Sequence, residues 1–321
     1  MRIDIAALRP VGSGLRRPES VLCARNGDIF TGHAGAGVMH IAPDGTQRPI
    51  GQHAEVDGTA FVPNGLARLA DGSFLIANMG EAGGVWRLAP DGALSPYLRQ
   101  ADGERFKATN FVLRDREGRI WITVTTRRWP ISDAFSPDVA DGYVVLVEGG
   151  AARIVADGLV FANELRVDPS GRFLYVVETM ARRISRFAIR PDKRLGQRET
   201  FTTFGHGTFP DGIAFDAEGH LWVASIVSNR LIRVGPAGEQ DVVLEDSDPG
   251  YLARVEEKLA AGTLARDDMQ RPPSKVLKNI ASIAFGGPDL RTAYLGSLGG
   301  DTIAAFDAPV AGDPPAHWHD P

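Results

Sequence analysis

The 321-residue sequence predicts an all-β fold, a six-bladed β-propeller with four antiparallel strands per blade. Three observations carry this expectation. First, six stretches share one pattern: PESVLCARNG, PNGLARLADG, TNFVLRDREG, ANELRVDPSG, PDGIAFDAEG and IASIAFGGPD. In the first five, a polar residue lies eight positions before the closing Gly: Glu19, Asn64, Asn110, Asn163 and Asp211; the looser sixth stretch offers Ser282. Second, each stretch is followed by a short apolar run of buried-strand type, such as SFLIANMG, RIWITVTT or HLWVASIV. Third, an alternating run follows and stops at Pro, Asp or Gly, as in GVMHIAPDG and GVWRLAPDG. A more polar fourth run completes a unit of about 45 to 50 residues, the period of a propeller blade.

Within a unit, the first run ends in a D-G, E-G or S-G step that reads as a hairpin into the second. RIDIAALRPV precedes the first unit and has no unit of its own, so it is expected to pair as the outer strand of the last blade and close the ring. Two insertions interrupt the repeat, at 127–141 inside blade three and near 245–276 between blades five and six. The second contains YLARVEEKLAAGTL, a short helix with Leu252, Val255 and Leu259 on its apolar side. Both should emerge on the face where the first strands begin, and long loops on a rigid scaffold often carry function. The C-terminal DPPAHWHDP reads as a surface tail. Residues 1–321 form a single domain in this reading, because stacked repeats override the length prior for two domains.

Bulk properties exclude several classes. A net charge of −5 with dispersed Lys and Arg gives no nucleic-acid footprint. No apolar stretch reaches the length of a membrane span. MRIDIAALRP lacks the apolar region of a secretory signal, and a cytoplasmic protein is expected. Cys23 is the single cysteine, which excludes an intrachain disulfide and a Cys-rich zinc site.

The first strand of a blade is the innermost, so its first residues converge at the mouth of the central channel. Glu19 and Asp211 would bring two carboxylates there, and Asn110 and Asn163 two amide oxygens. Such an all-oxygen set suits a hard divalent cation, with Ca2+ expected and Zn2+, Mn2+ or Fe2+ as alternatives. Taken alone, Asn64-Gly65 and Asp211-Gly212 are turn dipeptides, whereas Asn110-Phe111 and Asn163-Glu164 are not. Recurrence at one equivalent position favours the cation reading.

The same residues carry a resemblance. PESV, ATNFVLRDREG, FANELRVDPSGRFLYVVET and FPDGIAFDAEGHLWVAS resemble the SMP-30/gluconolactonase family, which includes regucalcin and bacterial sugar lactonases. The resemblance implies a six-bladed propeller with one catalytic divalent cation, held by Glu19, Asn163 and Asp211. It makes Asn110 a substrate contact or a further ligand. Ala108 stands where sugar lactonases often have Arg, and Glu164 where the blade-four motif usually has Gly. The expected chemistry is opening of a small-molecule lactone by water, with Asp211 as base. Asn64, His33, Arg127, Trp129 and Glu178 are expected to line the substrate site, with Asn78 and Ser225 at equivalent loop positions. A phosphotriester hydrolase on the same cation and a non-catalytic binding propeller are the alternatives.

Overall fold

The computed structural model describes residues 1–320. Six four-stranded antiparallel sheets surround a central channel. Their inner strands are Val21–Cys23, Pro63–Arg68, Thr109–Arg114, Ala162–Val167, Phe209–Phe215 and Ile280–Gly286. Blades one to five each run outward in sequence order. In blade six the outer strand is Arg9–Val11, paired with Ile303–Ala305. The N-terminal segment therefore closes the ring as the repeat arithmetic requires.

In blades three and five the hairpin turns between the first and second strands are held by buried carboxylates. Asp115 Oδ1 accepts from Glu117 N and Arg119 N, and its Oδ2 accepts from Arg119 Nε (2.6 Å) and Trp121 Nε1 (2.8 Å). Asp216 repeats this in blade five with Glu218 N, His220 N, Trp222 Nε1 and Arg233 Nε. Each Asp thus satisfies both a tight turn and a fully buried indole. The cores lie between blades, built from second-strand residues such as Leu75, Trp121, Val176 and Trp222. Burying each such side chain contributes about 1.5–3 kcal/mol.

Between blades five and six run two helices, α1 (Pro249–Ala260) and α2 (Arg266–Gln270). Asp248 caps α1 by accepting from Tyr251 N, and Leu252 and Val255 are buried as the apolar spacing predicts. Leu252, Val255, Leu264 and Met269 share one cluster with Ile131, Ala134 and Val139 of the blade-three insertion. Phe161, Phe209 and Ala281, at the start of three inner strands, belong to it too, so both insertions sit on the face where those strands begin.

The C-terminus corrects the expectation of a surface tail. Trp318 is 5% exposed and packs in the core with Leu15 and Phe285. Arg114 Nη2 holds Asp320 (2.8 Å), Arg116 holds Asp313 (2.7 Å), and the His317 ring bonds Cys23 O (3.0 Å). The segment is a strap across the far mouth of the channel. The sequence reading missed it because Pro-rich composition signals a lack of regular structure, not exposure.

Candidate metal centre and channel mouth

The polar residues singled out by the repeat lie where the inner strands are irregular. Strand pairing skips Asn64-Gly65, Asn110, Asn163-Glu164 and Asp211-Gly212, each between residues that do pair with the second strand. These bulges free the side chains from the period-two alternation. The structure brings Glu19, Asn64, Asn110, Asn163 and Asp211 together as buried residues, none more than 6% exposed.

The two Gly partners are not turn glycines. A Cβ on Gly65 would lie 2.6 Å from Phe111 Cα, and one on Gly212 would lie 2.6 Å from Ser282 Cα. Neighbouring inner strands approach too closely there for a side chain. In blades three and four the equivalent residues are Phe111 and Glu164. Glu164 Oε2 accepts from Ile213 N of blade five (3.2 Å) and pairs with Arg166 Nη2 (3.0 Å).

Hydrogen bonding fixes how the amides face. Asn163 Nδ2 donates to Thr179 Oγ1 (3.1 Å), and Asn64 Nδ2 donates to the Asn110 carbonyl oxygen (3.0 Å). Each leaves its Oδ1 buried without a partner, and Asp211 Oδ1 is also unpartnered. Glu19 Oε2 lacks a hydrogen bond of regular geometry, and its contact is an ion pair with Arg17 Nη2 at 2.5 Å. Asn110 Oδ1 lies 3.3 Å from Asn64 Nδ2 and is more fully engaged. Ser282 Oγ donates to Glu19 O, lacing blade six to blade one.

Orphaned buried acceptors are rare and costly. Four oxygens in one ring with no facing donor but Arg17 are the donor set of a hard cation. Electrostatics agree. Burial, with Glu19 and Glu164 nearby, pushes the Asp211 carboxyl well above its usual range, against the pull of Asn163 and Arg17. Burial also raises Glu19, opposed by Arg17 and Asn64. Burial pushes Glu164 up to about 7, with Arg166 opposing and Glu19 adding to it. A divalent cation would relieve this accumulation of buried acid, so the residues fit the ion.

Several expected substrate contacts are engaged elsewhere. Glu178 is fully buried: it accepts from Val160 N (2.8 Å), from Arg183 Nε (2.8 Å) and Nη2 (2.7 Å), and from Ser185 Oγ. Asn78 accepts from Val62 N and Gly80 N, and Ser225 Oγ accepts from Phe209 N. In three blades, then, the polar residue near the end of the second strand satisfies a backbone N–H leading into the first. Arg127 grips Asp157 (2.8 Å) and Asp141 O (2.6 Å) and stacks on Tyr143. Trp129 is half-buried in its own insertion, outside the apolar cluster. His33 Nδ1 accepts from Arg16 N (3.3 Å), and burial with Arg16 nearby holds the ring below its usual pKa. Sequence reasoning missed Arg17, whose guanidinium also donates to Pro63 O (3.3 Å) across the blade-one and blade-two mouth. Its signal was its place two residues before Glu19.

Two other features compete for attention and do not belong to this centre. Asp216, Glu218 and His220 cluster tightly, but Arg233 fills their midst, with Nη2 2.6 Å from Glu218 and 3.0 Å from His220 Nδ1. A cavity of about 320 Å³ lies at the far end of the channel, between Leu22, Phe111, Leu113, Phe285 and the C-terminal strap.

Fold and site together define a six-bladed propeller with an axial ring of oxygen donors. The family model described as SMP-30/Gluconolactonase/LRE-like region matches residues 46–246, and the chain belongs to that family. It is similar to 6-deoxy-6-sulfogluconolactonase of Pseudomonas putida, 27% identical over 46% of this chain and 41% of that protein. It is likewise similar to pentonolactonase XacC of Haloferax volcanii, 27% identical over 66% of this chain and 65% of that protein. The matched regions thus span less than two thirds of either relative. A calcium-binding regucalcin from Agrobacterium tumefaciens shares the fold, with a TM-score of 0.66, 18% identity, and coverage of 95% of this chain and 93% of that one.

Proposed function

We propose that this protein is a divalent-cation-dependent hydrolase that opens a cyclic ester. The observation that carries the reading is the ring of buried oxygens, of which Asn64 Oδ1, Asn163 Oδ1 and Asp211 Oδ1 have no partner. Similarity to two lactonases supports the reaction class, and Ca2+ is the proposed ion. Glu19, Asn163 and Asp211 would hold the cation, with Asn64 and Asn110 beside them. When bound, the ion supplies Lewis-acid polarisation of the ester carbonyl and acidifies a nearby water.

The chain's own residues do the rest. Water adds to the acyl carbon, the acyl–oxygen bond breaks, and the released ring oxygen takes up a proton, giving a hydroxy acid. Asp211 would carry the proton from water to that oxygen. Asn163 orients Asp211, and Thr179 orients Asn163. Arg17 offsets the charge of Glu19 and, through its bond to Pro63 O, holds the mouth between blades one and two.

The test is Asp211→Asn. It should keep the native circular dichroism spectrum, lose most of its calorimetric affinity for Ca2+, and lose hydrolysis of γ- and δ-lactones. Undiminished hydrolysis in that variant would remove Asp211 from the mechanism.

A further inference from the structure

Above the oxygen ring, the mouth divides into two unlike halves. Over blades one and two stand Arg16, Arg17 and His33, all polar. Over blades three to six an apolar cluster dominates, with Arg182 and Glu256 paired to each other beside it and Arg266 of the second insertion near Arg17. Ala108, Phe161, Phe209 and Ala281 lie just before or at the start of the inner strands there and share one buried cluster. The loops after the second strands add to it: Ile131 in blade three, Met180 in blade four, Ile226 and Val227 in blade five. Leu252, Leu264 and Met269 of the second insertion complete it. Met79, Phe135 and Leu298 lie at its partly exposed rim, with the Phe135 ring tilted against that of Phe161, centroids 5.5 Å apart.

The polar side chains at the ends of the second strands are engaged within the protein, and Asn229 Nδ2 in the blade-five loop is the exception, buried without a partner. Asn78 spends its amide on Val62, Gly80 and Gly83, Glu178 on four donors, and Ser225 on Phe209, Ile226 and Ser228. Thr125 donates to Ala162 O and Thr126 to Asp141. A polyhydroxylated ring seated there would leave its hydroxyls unpaired against Phe and Met, which costs far more than an alkyl group in the same place.

We infer that the substrate is an apolar-bodied lactone, alkyl- or aryl-substituted, and not a polyhydroxylated sugar lactone. This rests on the cyclic-ester hydrolase reading above. The ester group faces the oxygen ring and Arg17, and the hydrocarbon part lies toward blades three to six under the two insertions. In this the chain departs from the two lactonases it is similar to, whose names specify sugar lactones.

The experiment compares kcat/KM for δ-decalactone and dihydrocoumarin with that for glucono-δ-lactone, using the full chain with Ca2+. The apolar substrates should win by about tenfold or more, the discrimination that one or two buried methylenes supply. Met79→Gln keeps side-chain length at the exposed rim, so the fold should survive. It should lower the preference roughly threefold or more, and Phe135→Asn should do the same. A preference for glucono-δ-lactone overturns the inference while leaving the hydrolase reading in place. A preference for the apolar lactones unaltered in both variants overturns the assignment of the wall. Hydrolysis of none of the three lactones overturns the parent reading itself, and with it this inference.

Discussion

Protonation of His317 should loosen the far mouth of the channel. The ring is 8% exposed, bonded to Cys23 O at 3.0 Å, in the strap that also carries the buried Trp318. Burial drives its pKa down from 6.5 to about 4; Arg68 and Arg114 lower it further, while the Cys23 carbonyl and Asp320 pull the other way. Because the folded-state value lies below the unfolded one, the stabilisation is complete above about 6.5 and is lost as pH falls toward about 4. Linkage between those values makes the loss roughly 2.5 kcal/mol by about pH 4.5. Urea unfolding of the native chain and of His317→Gln, at about pH 7.5 and pH 4.5, isolates the contribution from that of the many carboxylates. Gln can still donate to Cys23 O but cannot titrate. The native chain should lose about 2.5 kcal/mol more than the variant over this interval. Parallel pH profiles for the two proteins would refute a neutral, buried His317.

Other expectations follow from contacts already described. Glu178→Gln breaks a buried pair with Arg183 and should cost roughly 3 kcal/mol of stability while leaving lactone KM unchanged; a raised KM with unaltered stability would restore it to the substrate site. Arg17→Met removes the charge beside Glu19, so calorimetry should find Ca2+ bound about tenfold more tightly; weaker binding would mean that Arg17 orients Glu19 for the ion. Trp318→Ala should cost about 3–5 kcal/mol, read as a shifted denaturation midpoint. A change within error would mean that the strap is dispensable to the fold.

Much of the architecture was legible because a propeller repeats its physics. Glu19, Asn64, Asn110, Asn163 and Asp211 recur at one offset from a hairpin Gly, and the offset survives variation around it. The helix near 251 was readable from the spacing of Leu252 and Val255. What escaped was anything decided by contact between distant segments. Nothing local distinguishes an Asn whose oxygen is free from one whose oxygen is engaged, so the sequence placed Asn110 among the cation donors and Asn64 outside them, whereas the structure frees Asn64 Oδ1 and engages Asn110 Oδ1. Glu178 and Asn78 looked available because loop position was legible, but the backbone N–H groups that consume them lie in the segments leading into the inner strands. Gly65 and Gly212 resembled turn residues, when close approach of neighbouring blades excludes a Cβ there.

The closure of blade six has a consequence for how the chain reaches this state. Arg9–Val11 finds its partner only at Ile303–Ala305, near the opposite end of the sequence. During synthesis the first five blades can assemble as an open arc, each hairpin pairing locally as it emerges. Until the last strands are made, Arg9–Val11 has no sheet to join, and the flank of blade one lacks its neighbour. The arc's end faces are then unpaired surfaces of the kind that invite pairing with another chain. Joining the two termini carries the largest loop-closure cost in the molecule and belongs at the end of folding. The protein's exposure to misassembly is therefore concentrated in the interval between the fifth blade and the sixth.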